Sequence, residues 1–400
     1  MEVQSRAPGK VILCGEHAVV HGSTAVAASI NLCTNINFRP ASAGSGDRLL
    51  ELELKDTDIV LSWPTERLKE VFSEIGSPAP LSPQPCSPET LELIYGLYEE
   101  QKLPEAKAGL ASGISAFIYL YTSIQGLKAG RVVVSSDLPL GGGLGSSASF
   151  CVSLCGALLA FSGAVGLQHE QNSWFKFGKN ELELVNKWAF EGEKIIHGKP
   201  SGIDNTVSTF GNMIMFRSGE LTQIEPNVPL RMLITNTKVE RNTKALVAGV
   251  SARASRHPHA MASVFAAVDS ISKELSEILQ SPALDALSIS AREDKIGELM
   301  EMNQGLLQCM GVSHASIEDV LRTTLKYNLI SKLTGAGGGG CVLTLLPTSL
   351  SSEIVGKVMA ELEPCGFQCF TTEVGGRGLE IFLSGSPPPP LIEHFDQRPR

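Results

Sequence analysis

The stretch DLPLGGGLGSSASF, residues 137–150, decides how the rest of the chain is interpreted. A short β-branched run at residues 131–135 precedes it, and an almost uncharged apolar segment, predicted to be a helix to about Phe161, follows it. Four glycines in five positions let backbone N–H groups approach an anion closely, and the positive end of the helix dipole adds to the attraction. Two serines at the helix start are able to cap it or to ligate Mg²⁺. The pattern predicts a phosphate-binding loop rather than an ordinary capped turn.

Two familiar nucleotide loops do not fit this stretch. No Gly-Lys-Ser/Thr ends it, so it is not a Walker A loop, and Ser146 stands where a dinucleotide fingerprint needs its third glycine. A second glycine cluster, Gly335–Gly340, does contain G-x-G-x-x-G. The run that follows, CVLTLL at residues 341–346, predicts a strand where a dinucleotide site needs a helix. We therefore expect this cluster to bring backbone close to a ligand rather than to bind a dinucleotide.

Three further segments carry charged groups that spacing alone leaves ambiguous. The segment APGKVILCGEH, residues 7–17, is expected to turn at Gly9 and Gly15, and its polar side chains have the pattern of ordinary surface groups. Glu193 falls on an amphipathic helix predicted over residues 181–197, and Asp204 falls in the first turn of the next short helix. Phosphoryl transfer from a Mg²⁺-bound nucleotide commonly uses one carboxylate as a metal ligand and another near the nucleophile. A surface carboxylate and a helix-start charge explain the same two residues equally well.

The organisation of the chain indicates more than one domain. Its 400 residues suggest two or three domains. The Pro- and Asn-containing stretch at 219–230 is the best boundary, and helices grouped with antiparallel strands beyond it predict an α+β second domain. We predict an N-terminal domain at 1–228, a C-terminal domain at 229–385 and a proline-rich tail at 386–400.

Composition excludes several classes of protein. Hydrophobic residues make up 43% of the chain, which is enough for a sizeable core and rules out global disorder. The net charge of −9 leaves no basic excess for general nucleic-acid binding, so no nucleic-acid partner is expected. No apolar run is long enough for a membrane span, and the start MEVQSRAPGK lacks a signal core. Nine scattered cysteines without metal-ligand spacing favour a reducing compartment, so we expect a cytoplasmic protein and leave a peroxisomal one open.

Taken together, the motifs resemble those of the GHMP small-molecule kinases, and within that superfamily they are most similar to the mevalonate kinases of animals. The segments that carry the resemblance run in order along almost the whole chain: residues 7–22, 137–149, 186–211, 235–250 and 331–341. The resemblance implies an α+β two-domain fold, with a ribosomal-protein-S5-like α/β domain joined to a ferredoxin-like α+β domain. It also implies an enzyme that transfers the γ-phosphoryl of ATP to the primary hydroxyl of mevalonate.

The same resemblance implies roles for individual residues. Asp204 would be the catalytic base, Lys10 would assist it and contact phosphate, and Ser147 and Glu193 would hold Mg²⁺. The ATP side would consist of the loop residues Gly141, Gly142, Gly143, Leu144, Gly145, Ser146 and Ser147, together with Lys10, Ser136 and Asp56. Glu16, His17, Thr243 and Ala336 would line the mevalonate side.

The resemblance further implies a homodimer and feedback inhibition by prenyl diphosphates that compete with ATP. Three alternatives stay open at this point. Another kinase of the superfamily, such as a phosphomevalonate or sugar kinase, shares the same motifs. A silent nucleotide-binding regulator should have lost Lys10, Glu193 or Asp204, and all three are present. A nicotinamide oxidoreductase conflicts with the strand after Gly340.

Overall fold

The computed structural model describes residues 2–41, 48–73, 79–139, 141–169, 174–226 and 229–383. Its strands are β1 Val3–Cys14, β2 Ala25–Pro40, β3 Leu49–Leu54, β4 Ile59–Pro64, β5 Gly130–Ser136, β6 Leu167–His169, β7 Trp174–Phe177, β8 Met213–Arg217, β9 Glu220–Ile224, β10 Leu230–Asn236, β11 Ser331–Leu333, β12 Cys341–Leu345, β13 Gln368–Val374 and β14 Glu380–Leu383. Its α-helices are α1 Thr65–Val71, α2 Pro88–Glu99, α3 Ala111–Gln125, α4 Ser146–Ser162, α5 Lys179–His197, α6 Ile203–Phe210, α7 Thr243–Arg256, α8 Pro258–Gln280, α9 Ala286–Met310, α10 Ala315–Leu325 and α11 Ser352–Leu362. The elements mix helix and sheet along the chain, as the α+β prediction requires.

The sheet is continuous across the described part of the chain because β2 is long enough to pair with several partners. The order β11-β12-β10-β13-β2-β1-β14-β7-β6 forms the main path, and β5 and β8 pair with different stretches of β2. Both ends of β2 therefore pair with strands that precede residue 228, whereas its middle meets β13 through Ile30 and Val374.

The described residues form two large hydrophobic cores and one small cluster around Ile203 and Val207. The first core lies among α2 to α5 and includes Trp63, Phe117 and Leu154, which are essentially inaccessible to solvent. The second core lies among α8 to α11 and includes Ile234 and Leu275. Helix α4 is apolar around its whole circumference because the sheet and neighbouring helices cover it, as the uncharged sequence predicted.

Strand β1 contributes to both cores and joins them. Val3 packs into the first core, and Val11 and Leu13 pack into the second. The last described strand, β14, returns to pair with β1 in antiparallel register. The boundary predicted at residue 228 and the tail at 386–400 lie outside the described residues and stay predictions.

The prediction of a turn at Gly9 is wrong. Gly9 lies inside β1, at an irregularity where the register with β2 shifts between Pro8 and Lys10. A Cβ at Gly9 would lie 2.5 Å from Leu138 Cδ2 and 2.7 Å from the Leu144 carbonyl oxygen. The glycine is therefore needed because another segment crosses the strand closely, not because the chain reverses there.

No helix in the described part of the chain combines the length and the apolar character that crossing a bilayer requires.

Candidate active site

The predicted phosphate loop lies directly before α4 and ends in a left-handed residue. Gly141, Gly143 and Gly145 all have positive φ values, between 71° and 75°, which side chains other than glycine rarely adopt. Gly145 is the N-cap of α4, so the first N–H groups of the helix are directed toward the loop. The side chain of Leu144 is buried, so this residue offers the loop only its backbone. This is the geometry of a backbone anion cradle at a helix N-terminus.

The loop is attached to β1 at the point where Gly9 permits close approach. The N–H of Lys10 donates to the carbonyl oxygen of Leu144 at 2.8 Å. A Cβ at Gly145 would lie 3.0 Å from Lys10 Cγ, so the lysine stem runs alongside the loop. The structure thus brings the segment of residues 7–17 into contact with the phosphate loop.

The ammonium group of Lys10 lies at 3.3 Å from Asp204 Oδ1. Helix α6, which carries Asp204 in its first turn after the left-handed cap Gly202, is tied to β1 by a 2.6 Å hydrogen bond from Ser208 Oγ to the Pro8 carbonyl oxygen. The Lys10 side chain is 8% exposed and that of Asp204 is 35% exposed. Asp204 is therefore accessible to solvent while it is paired with a nearly buried cation.

Glu193 is buried on α5 next to this pair. Helix α5 packs tightly on α4 because Gly192 leaves no room for a Cβ, which would lie 2.9 Å from Cys151 Sγ. The pKa of Glu193 is raised to about 7, chiefly by burial and secondly by the charge of Asp204. A hydrogen bond with Ser147 and the charge of Lys10 lower it, but by less. The interpretation of Glu193 as a surface carboxylate is wrong, since the residue is 2% exposed.

The surroundings of Glu193 fit a bound cation. Its Oε1 atom is buried without a hydrogen-bond partner, and such an orphaned acceptor is suited to a metal ion. The described residues contain no cluster of three or more acidic, histidine or cysteine side chains able to form a metal site, so a cation here would need oxygens from a ligand as well. Serine and carboxylate oxygens are ligands that Mg²⁺ accepts together with phosphate oxygens.

His197, which the sequence analysis did not single out, also lies at this point. Its Nε2 atom is 3.0 Å from Ser147 Oγ and 3.9 Å from Glu193 Oε2. Burial lowers the pKa of His197. The one signal that marks it is its position four residues after Glu193 on a helix, which places both on the same face.

Asp56 and Ser136 lie together on the other side of the loop. The N–H of Ser136 donates to Asp56 Oδ2 at 2.8 Å. Both line a cavity of about 210 Å³ that also touches the start of α4. Its remaining walls are mainly apolar and include Leu54, Phe150 and Ile196. Such a cavity, beside a phosphate loop, has the shape and lining to accept the flat, mostly apolar ring of a ligand such as a nucleobase.

The second glycine cluster meets the phosphate loop through Arg241. The guanidinium Nη2 atom donates to the Gly142 carbonyl oxygen at 3.1 Å. A Cβ at Gly143 would lie 1.5 Å from Nη2, and one at Gly340 would lie 2.1 Å from Nη1. The glycines of both loops therefore make room for one arginine.

Arg241 was missed by the sequence analysis. Its Nη1 atom is buried with no hydrogen-bond partner among the described residues, and burial lowers the pKa of the guanidinium. A half-buried cation with a buried free donor between two backbone loops has the chemistry to bind an anion. A lone arginine between strand and helix gave no signal of this in sequence.

Much of the Gly335–Gly340 cluster is explained by packing within the protein. A Cβ at Gly337 would lie 2.2 Å from the Val312 carbonyl oxygen, and one at Gly339 would lie 2.7 Å from Val239. Gly335 and Ala336, at the start of the loop, are only partly buried, so their backbone is the part of the cluster that a ligand could approach.

The structure joins two of the four residues predicted for the mevalonate side and leaves the other two apart. His17 and Ala336 are joined by a 2.8 Å hydrogen bond between His17 Nε2 and the Ala336 carbonyl oxygen. The Glu16 side chain has no exposed surface and forms a buried ion pair with Lys332, so the structure does not bring it to the cleft. Thr243 lies exposed at the first position of α7, two residues after Arg241.

His17 has an unusual backbone and an unused ring nitrogen. Its φ value is 58°, in the left-handed region that a residue with a side chain occupies only when its surroundings enforce it. Its Nδ1 atom is buried without a hydrogen-bond partner, and burial lowers the pKa of the ring. When Nε2 donates to Ala336, Nδ1 is left as an acceptor for a ligand hydroxyl.

Comparisons with known proteins agree with this architecture. Two family models match the chain: GHMP kinases N terminal domain at residues 112–212, and GHMP kinases C terminal at residues 283–363. A mevalonate kinase of Arabidopsis thaliana is 59% identical over 383 residues, which cover 95% of this chain and all of that protein. The mevalonate kinase of Homo sapiens is 40% identical over 392 residues, 95% of each chain. The plant protein is the more similar of these two.

Solved structures show the same fold at low sequence identity. The crystal structure of L. major mevalonate kinase in complex with R-mevalonate aligns with a TM-score of 0.66 at 22% identity, and covers 94% of this chain and 96% of that one. The predicted α+β two-domain fold of this superfamily is confirmed.

Proposed function

The chain belongs to the mevalonate kinase family of the GHMP kinases, and we propose that the cleft between β1, α4 and α6 transfers the γ-phosphoryl group of ATP to the primary hydroxyl of mevalonate. The observation that carries this proposal is the pairing of Lys10 Nζ with Asp204 Oδ1 at 3.3 Å beside the glycine cradle. This pairing supports the proposal because an alcohol that attacks phosphate bound to the loop would need a proton acceptor and a cation beside it.

An alcohol is a poor nucleophile at neutral pH, so its proton must be removed as attack proceeds. In the proposed reaction the mevalonate oxygen bonds to the γ-phosphorus, the bond from that phosphorus to the β-phosphate oxygen breaks, and ADP leaves. Asp204 accepts the hydroxyl proton. Lys10 stabilises the negative charge that develops on the attacking oxygen and the transferred phosphoryl group.

The backbone N–H groups of the loop from Gly141 to Gly145, and those at the start of α4, would bind the ATP phosphates. The apolar cavity next to Asp56 and Ser136 would hold the base, with Asp56 near the polar part of the nucleoside. Ser147 and Glu193 would hold Mg²⁺, which would neutralise negative charge on the ATP phosphates. The orphaned Oε1 atom of Glu193 supports that assignment.

Mevalonate carries a carboxylate and two hydroxyls, and the cleft offers a group for each kind. The free Nδ1 acceptor of His17 suits a hydroxyl. The free donor of Arg241 suits an anion, either the carboxylate or a phosphate oxygen. Thr243 and Ala336, on the segments next to these two residues, would complete the substrate wall.

Four further properties are part of the proposal because family membership suggests them. Prenyl diphosphates would inhibit the enzyme by placing their diphosphate on the same glycine cradle and their tail along the apolar cavity. The protein would be a homodimer in the cytoplasm. Its domains would divide near residue 228.

An ADP-release assay with a panel of acceptors tests the proposed function. Mevalonate, phosphomevalonate, homoserine and galactose are offered with ATP, with and without Mg²⁺. We expect mevalonate to be phosphorylated fastest and only with Mg²⁺, and we expect Asp204→Asn, assayed as a control, to lose that activity. Faster turnover of phosphomevalonate or galactose would assign the chain to another branch of the superfamily. ATP binding without turnover of any acceptor would favour the silent regulator.

A further inference from the structure

Lys332 is a fully buried lysine close to the candidate substrate site. It lies in β11 and is 0% exposed, which lysines almost never are unless they are paired. Its ammonium group forms an ion pair with Glu16, donates to the Leu333 carbonyl oxygen at 2.7 Å and approaches the Ile12 carbonyl oxygen at 3.4 Å. Three acceptors thus surround the three donors of the ammonium group.

These contacts connect two distant segments of the chain. Ile12 and Glu16 belong to the end of β1 and the turn after it, whereas Leu333 precedes the second glycine cluster. Thr334 Oγ1 adds two hydrogen bonds to the backbone of Ile12, at 2.9 and 3.0 Å. One residue beyond Glu16 and three beyond Leu333, His17 and Ala336 form the hydrogen bond of the substrate wall.

The turn that carries His17 has a strained backbone and depends on contacts with neighbouring residues. Gly15 has a φ of 100°, and a Cβ there would lie 2.3 Å from Ala25 Cα. His17 itself has left-handed φ, which costs free energy and persists only where surrounding contacts enforce it. Glu16, between them, is anchored by Lys332.

The Glu16 carboxylate depends on Lys332 for its charge compensation. Its Oε2 atom has no hydrogen-bond partner among the described residues, and its side chain has no exposed surface. Removing the ammonium would leave a buried, unpaired carboxylate, which is strongly unfavourable, so the turn would have to rearrange. Because Glu16 is fully enclosed, it affects a ligand through the position of its neighbours and not by contact.

We propose that Lys332 is a positioning residue for the mevalonate site. Through Glu16 and the Ile12 and Leu333 carbonyl groups, it fixes His17 and Ala336 relative to each other in the substrate wall. The inference rests on the proposed function for the identity of the substrate. It reassigns Glu16 from substrate contact to the counter-ion of Lys332.

Three variants test the proposal in the full-length enzyme. Lys332→Met removes the ammonium, and Glu16→Asp keeps the charge but shortens its reach, so it gives an answer even if Lys332→Met fails to fold. Ser331→Ala is the matched control, because it removes a buried hydroxyl on the same strand that bonds to Thr324 and Thr344 instead of the substrate wall. Each variant is measured for thermal unfolding and for the KM of both substrates and kcat, well below its unfolding temperature.

A displacement of about 1 Å at a reacting site is able to cost about 100-fold in rate. We therefore expect Lys332→Met and Glu16→Asp to raise the KM for mevalonate about tenfold or more, while the KM for ATP changes less than about threefold. Ser331→Ala should lower the unfolding temperature and leave both KM values unchanged. Adding Glu16→Gln to Lys332→Met should recover heat stability, since no unpaired charge remains, but not the KM for mevalonate.

A mevalonate KM unaffected in both Lys332→Met and Glu16→Asp would overturn the proposal. Equal increases for mevalonate and ATP, or a KM that recovers in parallel with heat stability in the double variant, would show a purely structural role and overturn it as well. The comparison is made on whichever acceptor the wild-type enzyme uses in the panel. A wild-type preference for another acceptor would therefore contradict the proposed function without deciding the role of Lys332.

Discussion

Replacing Glu193 with glutamine should stabilise the ligand-free protein while impairing its use of Mg²⁺. The wild-type carboxylate is 2% exposed, and burial raises its pKa from 4.5 to about 7. The folded protein therefore binds a proton at this group more tightly than the unfolded chain does. The stability that protonation provides is fully present below pH 4.5 and is lost as the pH rises to about 7.

The size of the effect follows from the shift. Each pKa unit corresponds to about 1.4 kcal/mol, so a carboxylate raised from 4.5 to about 7 lowers the free energy of unfolding by about 3 kcal/mol at pH 8. At pH 5 most of that loss is absent, and under about 1 kcal/mol remains. Glutamine has a similar size and no charge. The free energy of unfolding of Glu193→Gln should therefore exceed that of the wild type by about 3 kcal/mol at pH 8 and by under about 1 kcal/mol at pH 5.

Denaturant unfolding in EDTA without nucleotide, from pH 5 to pH 8, measures this difference. Glu183→Gln is the matched control, because it neutralises an exposed carboxylate on the same helix and should change the free energy of unfolding little at any pH. In a second measurement, Mg²⁺ and ATP together should stabilise the wild type more than Glu193→Gln. A Glu193→Gln protein that is no more stable at pH 8, or whose advantage is the same at pH 5, would refute the reasoning.

Three further predictions follow from the site. Asp204→Asn should lower kcat by about 10²–10⁴-fold while ATP still binds in a calorimetric titration, whereas Lys10→Met should also weaken ATP binding; a wild-type kcat for Asp204→Asn would end its assignment as base. Arg241→Gln removes a buried charged donor, which is worth about 1.5–3 kcal/mol, so the KM for ATP or mevalonate should rise about 10- to 100-fold, and unchanged values for both would contradict an anion-binding role. Farnesyl diphosphate should raise the apparent KM for ATP and leave kcat unchanged, and inhibition that saturating ATP does not relieve would reject a shared phosphate site.

The phosphate loop could be predicted from sequence because its chemistry is local. Glycines at 141, 143 and 145 are needed by the backbone of the loop itself, and the start of α4 follows at once in the chain. The helices α4 and α5 and the strand β12 could be predicted for the same reason, from short-range sequence patterns. Gly9 was predicted wrongly because the reason for a glycine there lies in Leu138 and Leu144, far away in sequence.

The convergence of charged groups could not be predicted from spacing. Lys10, Glu193 and Asp204 come from three elements, and only the resemblance to a known family singled out the lysine. Arg241 and Lys332 each fit the pattern of a solvated surface cation, which is what most such residues are. Both become informative only when the burial of their charged atoms is known, because a buried cation must be paired with an anion of the protein or of a ligand.

The two carboxylates of the candidate site differ in burial, and that difference supports the roles proposed for them. Glu193 is enclosed, and burial raises its pKa to about 7, so its ionised form needs a cation supplied by the ligand. Asp204 keeps a third of its side chain exposed and already has a cation, Lys10, within 3.3 Å. A metal ion would therefore gain most by binding at Glu193, which leaves Asp204 free to accept a proton from an alcohol in the cleft. Exchanging the two environments would remove both functions, since an enclosed base could not meet its substrate and an exposed, paired carboxylate would have little need of a metal ion.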